Sequence, residues 1–322
     1  MNSKTKILIV RFSSIGDIIL TTPIIRCIKL QSKNVDLHYL TKLKYKDILS
    51  QNPYIDKCQY FDNNFLRFLK ILKEEKYDLI IDLHNSLRSK MVRLALATKN
   101  FVYNKENFKK FMLLNLGLNL SKLHTVDRYF LALKDLQIKN DNKGLDVFID
   151  DNYNVSFNTS QKYISWCIGG SYENKKLSDK QILYVCDKLN FPIVFLGGSQ
   201  ESDLAEKIIS KSSNNQLYNF CGKIDFSESS YLVKKSSLLL TNDTSILHVG
   251  SALKLPMISF WGCTKPELGF RSYLNPKSYD ICSENRRPCS KHGNKCKVSD
   301  NGCVKTINPE IIYNKVNRVL IK

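Results

Sequence analysis

Short apolar runs alternate along this chain with longer stretches of helical periodicity. Lys6–Phe12, Asp36–Leu40, Lys57–Phe61, Asp78–Leu83 and Phe101–Tyr103 are rich in Ile, Val, Leu and Tyr and are bounded by turn formers, which predicts strands. Between them, Ile15–Leu30, Tyr45–Ser50, Asn64–Glu75 and Ser86–Ala97 space their apolar residues as helices do. The rhythm lapses over Asn140–Ser160, dense in Asp and Asn, and restarts at Tyr163. Strands are then predicted at Tyr163–Ile168, Pro192–Leu196, Gln216–Phe220, Ser237–Thr241 and Pro256–Phe260. Helices are predicted at Asp179–Leu189, Glu201–Ser210, Ser227–Lys235, Ser245–Leu253 and Pro309–Leu320. Strand–helix alternation of this kind implies α/β architecture, here two doubly wound parallel sheets facing a central cleft, with ligands at the carboxyl ends of the strands. The expected domains are residues 1–155 and 156–306, with a closing helical segment over 307–322.

The length, 322 residues, suits two domains, and 43% hydrophobic with 25% charged residues is a globular balance. No apolar run approaches the roughly 18 residues of a membrane-spanning helix, and Ile7–Val10 is too short for a secretory signal, so export by the general pathway is not expected. Lys plus Arg outnumber Asp plus Glu by 49 to 30, giving a formal net charge of +19. That surplus favours a polyanionic partner: nucleic acid, an anionic membrane surface or a phosphorylated substrate. No standard nucleic-acid motif is present, and aromatic residues are not interleaved with the charges as a stacking platform requires. Of ten cysteines, six sit in or beside apolar segments and read as core. The other four, Cys282, Cys289, Cys296 and Cys303, recur every seven residues through a polar stretch and form a local cluster. The even spacing lacks the short pairs of common zinc modules, so thiols or adventitious disulfides are the expectation and zinc, with His292 nearby, the lesser reading.

Four segments carry chemistry. Ser14-Ile15-Gly16-Asp17 follows the first strand and opens a helix; it reads as a capping box, or as a carboxylate placed to take a proton from a bound hydroxyl. Asp243-Thr244-Ser245-Ile246-Leu247-His248 runs from strand to helix, offering free N–H groups and hydroxyls to a phosphate, with ordinary capping and a core histidine as the alternatives. Gly169-Gly170-Ser171 precedes the pair Lys175-Lys176, and Gly197-Gly198-Ser199-Gln200 precedes Glu201, a candidate for ribose hydroxyls or a helix start. No GxGxxG or Walker lysine accompanies them.

Taken together and in order, ILIVRFSSIGDIILTTP, YDLIIDLHNSLRS, FLGGSQESDLAE and LLLTNDTSILHVGSAL resemble the heptosyltransferases of lipopolysaccharide core synthesis, a family of inverting glycosyltransferases, over nearly the whole chain. The resemblance implies the GT-B fold, an acceptor-binding first domain, a donor-binding second domain, and a final helix packing back on the first. It makes Asp17 the catalytic base and Lys175 the phosphate-binding lysine, although the family's Trp and Pro after that lysine are missing and Lys176 is a rival. It places Ser171, Glu201, Asp243, Thr244, Ser245 and His248 on the donor, with Ser245 replacing the family's glycine, and Ser14, Gly16 and Arg88 on the acceptor. The implied donor is ADP-heptose and the acceptor a lipid A-core glycolipid at the membrane surface. No metal or other cofactor, no nucleic acid and a monomer are expected, on the inner face of the inner membrane. The mixed Lys and Phe of Lys105–Leu120 would suit that surface, or pack on their own domain. The competing readings are a GT-B transferase for another nucleotide sugar and a non-catalytic basic polyanion-binding protein.

Overall fold

The computed structural model describes residues 4–285, 287–300 and 302–321. The chain forms two compact units. One comprises residues up to Glu106 with Leu123–Phe148, and the other Asn107–Lys122 with the chain from Ile149 onward.

The first unit carries a five-stranded parallel sheet of β1 (Thr5–Val10), β2 (Val35–Lys42), β3 (Lys57–Phe61), β4 (Leu79–Asp82) and β5 (Lys99–Val102), in the order β3-β2-β1-β4-β5. The central strands are apolar on both faces because helices cover both, and Leu8, Ile9, Val10, Ile80 and Ile81 are fully buried. Burial of each such side chain is worth about 1.5–3 kcal/mol. The long helix expected over Ile15–Leu30 is instead two, α1 (Ile15–Ile19) and α2 (Thr22–Gln31). Pro23 has no N–H to donate and its ring would meet the carbonyl four residues back, so the helix breaks before it. The Thr22 hydroxyl donates to the Ile19 carbonyl that Pro23 leaves without an N–H, at 2.8 Å, and the Thr21 hydroxyl to the Ile18 carbonyl, at 2.7 Å. Four further helices follow: α3 (Lys46–Leu49), α4 (Phe65–Glu74), α5 (Leu87–Leu96) and, beyond residue 122, α7 (Thr125–Ala132). The periodicity reading had not picked out α7. Most of the Asp/Asn-rich stretch before residue 148 is not loose linker. The buried Arg26 guanidinium holds both oxygens of Asp141, at 2.8 Å each, together with Asp146, which fastens this stretch to α2.

The second unit has a six-stranded parallel sheet of β6 (Ile164–Cys167), β7 (Ile193–Leu196), β8 (Leu217–Asn219), β9 (Leu238–Asn242), β10 (Met257–Trp261) and β11 (Ser278–Cys282), ordered β11-β10-β9-β6-β7-β8. Trp166, Phe195, Leu240 and Phe260 fill one core. The edge strand β11 escaped the sequence reading because Ser-Tyr-Asp-Ile-Cys, half-exposed, shows little apolar signal. The helices are α8 (Asp179–Lys188), α9 (Ser202–Lys211), α10 (Phe226–Lys235), α11 (Ser245–Ala252) and α12 (Pro309–Leu320), with α6 (Asn107–Leu116) contributed by the excursion from the first half.

Two boundaries differ from expectation. The segment 107–122 clusters with the second unit, and Lys110 of α6 lies 5.3 Å from the Phe270 ring centroid. The closing helix α12, expected back on the first unit, groups with the second. Its Ile312 and Val316 are buried in the second unit's core, and Glu310 accepts a hydrogen bond from the Tyr184 hydroxyl on α8. Its apolar stripe matches α8, and amphipathicity alone names no partner. Among the described residues no helix is long and apolar enough to cross a membrane. Ile312→Ala should lower the stability of the second unit by about 2–5 kcal/mol, read from urea denaturation of the full chain; an unchanged midpoint would show that α12 is not part of this core.

Candidate active site

In each sheet there is one place where successive connections turn to opposite sides, and the loops leaving the two strands there splay apart and expose the helix N-termini. In the first unit that place lies between β1 and β4. In the second it lies between β6 and β9. The sequence-picked residues concentrate at these two places.

At the first, Ser14 is the N-cap of α1 and Asp17 its third residue, joined as a capping box. Ser14 donates to Asp17 Oδ2 from both its backbone N (3.1 Å) and its hydroxyl (2.9 Å), so the capping role is real. The other carboxylate oxygen lies 2.7 Å from the Arg11 guanidinium. Arg11 is itself fixed, donating to the carbonyls of Ser13 (2.8 Å) and Leu83 (2.6 Å) and to the Tyr129 hydroxyl (3.1 Å). Burial pushes the Asp17 carboxyl up, but the Arg11 charge and the Ser14 bonds outweigh it and hold the group below its ordinary 3.8. Its side chain is still 24% exposed, so a carboxylate ionised at neutral pH remains open to a reactant. Gly16 is buried beneath it, and Ser14 is exposed. Arg88 is exposed near the start of α5, over the rings of Phe12 (5.7 Å) and Phe61 (5.0 Å).

One residue here was missed by the sequence reading. His84 follows β4, its ring set edge-on to Phe12 at 5.8 Å. Its Nδ1 is buried without a hydrogen-bond partner. Burial first, then the neighbouring Arg11 and Lys105 charges, push its pKa down to about 4, so the imidazole is neutral at pH 7. The buried Asp82 fixes this loop by accepting from the backbone N of His84 (2.9 Å) and Asn85 (2.7 Å). A histidine two residues past a strand was the available signal.

At the second place Thr244 caps α11 without a side-chain hydrogen bond to the helix, and Ser245 is its first residue. The first N–H groups of this helix therefore carry the partial positive charge of the dipole with no side chain satisfying them. Lys175 Nζ lies 2.7 Å from Asp243 Oδ2, which also accepts from the Thr264 hydroxyl at 2.7 Å. Lys176 points elsewhere, to Glu201 at 2.7 Å and Glu173 at 3.3 Å, so the geometry sets the two lysines apart. Glu201 also accepts from Gly198 N at 2.9 Å. Glycine at 197 lets these loops close, since a Cβ there would fall 3.0 Å from Glu201 Cβ. Asn242 Nδ2 ties the loops together by donating to the carbonyls of Ile168 (3.1 Å) and Gly169 (2.9 Å). Ser171 is exposed in the turn after β6, and His248 is buried one turn into α11.

The cysteine cluster also differs from its expected membership. Cys282, at the end of β11, is exposed and stands apart, while Cys263, just past β10, joins Cys289, Cys296 and Cys303. Linear spacing had made Cys282 look like a member.

Two Rossmann-like domains, each with polar side chains gathered at its switch point, make this a GT-B fold. The chain belongs to glycosyltransferase family 9 (heptosyltransferase), whose model matches residues 65–300. It is 27% identical over 288 residues to lipopolysaccharide heptosyltransferase 1 of Campylobacter coli, covering 80% of this chain and 84% of that one. In structure it resembles a family 9 glycosyl transferase from Veillonella parvula (TM-score 0.82, 17% identity, 100% and 98% covered) and the Escherichia coli heptosyltransferase WaaC solved with ADP (TM-score 0.75, 13% identity, 98% and 99% covered). An iron-containing dodecameric glycosyltransferase, TibC, from enterotoxigenic E. coli shares the fold at TM-score 0.60 and 11% identity, with 99% of this chain and 77% of that one covered.

Replacing Arg11 by Gln removes the largest influence holding the Asp17 pKa down. Stability from a depressed carboxyl pKa is present above the ordinary value and is lost as pH falls through the folded one. The variant should therefore titrate Asp17 at higher pH, by carboxyl carbon NMR, and begin losing stability at a higher pH than the parent. An unmoved titration would contradict the assignment.

Proposed function

We propose that the enzyme transfers a heptose from ADP-heptose to a lipid A-core glycolipid with inversion at the anomeric carbon. The observation that carries this reading is the N-terminus of α11, whose cap residue leaves its amides unsatisfied beside Lys175. A diphosphate accepting those N–H groups would sit where the dipole, the Thr244 and Ser245 hydroxyls and the Lys175 ammonium meet the charge that develops on the leaving ADP. Glu201 is suited to accept from ribose hydroxyls, using lone pairs not taken by Gly198 and Lys176. His248, buried one turn into α11, and Ser171, in the turn after β6, would complete the donor contacts.

In the first unit Asp17 is the base. An acceptor hydroxyl attacks the anomeric carbon, the new C–O bond forms as the bond to the diphosphate oxygen breaks, and the hydroxyl proton passes to Asp17. Ser14 and Arg11 aim the carboxylate, and its lowered pKa keeps it ionised at neutral pH. Gly16 lies in the same first turn of α1, and the exposed Arg88 would pair with a phosphate or carboxylate of the acceptor. The transfer proposed here needs no metal ion in the catalytic step, the leaving diphosphate being met by the helix dipole, the two hydroxyls and Lys175. Association with an anionic membrane face would follow from the +19 net charge and from α6, where Phe108, Phe111 and Leu116 are exposed. The enzyme would then work as a monomer on the cytoplasmic face of the inner membrane.

Asp17→Asn should lower kcat by about 10²–10⁴-fold, assayed with ADP-heptose and truncated glycolipids, while ADP binding by calorimetry stays within error. Full turnover by that variant would remove the base from the scheme. Lys175→Ala should weaken ADP binding where Lys176→Ala does so less. A thermal shift larger with UDP than with ADP would instead favour a different nucleotide sugar.

A further inference from the structure

The segment that follows β11 has almost nothing to fold around. Between Cys289 and Cys303 the one large aliphatic side chain is Val298, which is 59% exposed. The buried cluster that holds this loop consists of sulfur: Cys263, Cys289 and Cys303 are 0–5% exposed, with Cys296 packed on them. The four Sγ atoms all lie within 4.8 Å of one another. Sulfur–sulfur separations include 3.6 Å for Cys263–Cys303, 3.9 Å for Cys289–Cys296 and 4.0 Å for Cys289–Cys303. Two disulfides would sort four sulfurs into two pairs, yet Cys303 faces both Cys263 and Cys289. A tetrahedral ion with metal–sulfur bonds of about 2.3 Å sets its ligands about 3.8 Å apart, a spacing inside the 3.6–4.0 Å of these three pairs and reached by a small contraction of any pair nearer the 4.8 Å limit.

We infer that Cys263, Cys289, Cys296 and Cys303 form a tetrathiolate site for one divalent first-row metal ion, zinc(II) or iron(II), which clamps the 289–303 loop onto the second unit. Soft thiolates in a tetrahedral set select these ions over magnesium or calcium. Four thiolates and a divalent ion leave two negative charges. The segment 287–305 offsets them with Arg287, Lys291, Lys295, Lys297 and Lys305 against the single carboxylate Asp300.

The backbone is already shaped for the site. Cys263 O accepts from Cys289 N (2.8 Å) and Ser290 N (3.2 Å), joining the two arms of the cluster. Glycine at 262 allows Val304 to come close, since a Cβ there would fall 2.4 Å from Val304 N. The clamp also reaches the anion cradle. Thr264, next to Cys263, donates to Asp243, and Gly293 lies against Lys175, whose Cε would be 2.6 Å from an added Cβ. The metal is thus structural, and its effect on nucleotide affinity, which rests on the donor reading above, runs through Lys175 and Asp243.

The test uses untagged full-length protein purified under reducing conditions, with metal per chain measured by plasma mass spectrometry. About one zinc or iron per chain is expected, lost at least tenfold in Cys263→Ser and Cys296→Ser and kept in Cys282→Ser. Cobalt(II) exchange should give intense thiolate-to-metal absorption. Should the variants not fold, the parent chain decides: a chelator should release the metal and expose four additional thiols to a thiol reagent. The inference is overturned by a metal-free chain, by four sulfurs found in disulfides, or by metal equally retained in Cys263→Ser, the last meaning an adventitious ion only. Metal content needs no substrate, so loss of ADP affinity in a fully loaded chain would count against the donor reading and leave the clamp standing.

Discussion

The constraint on which this molecule depends is that a parallel strand returns to its sheet through a covered crossover of one hand. A sheet wound outward in both directions from its centre must therefore have a single place where neighbouring crossovers diverge. There the loops cannot pack on each other, and the helix that follows presents bare amides. The β1/β4 and β6/β9 positions are those places, and each chemically useful loop of this chain emerges at one of them or is tied to one.

The two sites meet the divergence with opposite electrostatics. In the first unit the cap residue of α1 is held by its own helix: Asp17 accepts from the N–H and the hydroxyl of Ser14, and Arg11 takes the remaining carboxylate oxygen. What is left open is negative charge, held ionised by a guanidinium that is anchored to two carbonyls and a phenol. In the second unit Thr244 leaves α11 uncapped, and what is open is positive. A transferase that takes a proton from one reactant and receives a diphosphate from the other needs that asymmetry.

Much of this was legible in order of residues. Strand identity followed from apolar runs bounded by turn formers, because strands buried on both faces cannot hide their composition. The loops that carry the candidate residues followed too, because a loop at a switch point falls directly after a strand. Elements with weak signals were lost: β11 is half-exposed and mixed in composition, and α7 and His84 sit where no periodicity marks them. The break between α1 and α2 was readable from Pro23 and was passed over.

The sequence by itself determined the alternation, the two halves and the residues able to carry charge, since these depend on local composition and spacing. Tertiary structure decided partnership. Lys175 and Lys176 are adjacent and chemically alike, and only the folded loops send one to Asp243 and the other to Glu201. The helix α12 is amphipathic wherever it packs, and the apolar face of α8 settled its place. Cys282 keeps the seven-residue spacing yet points away, while Cys263, distant in sequence, arrives because β10 ends beside the loop and Gly262 lets Val304 close in. Spacing reports which side chains share a local segment; convergence of sulfur atoms from two separate segments is a property of the packed backbone.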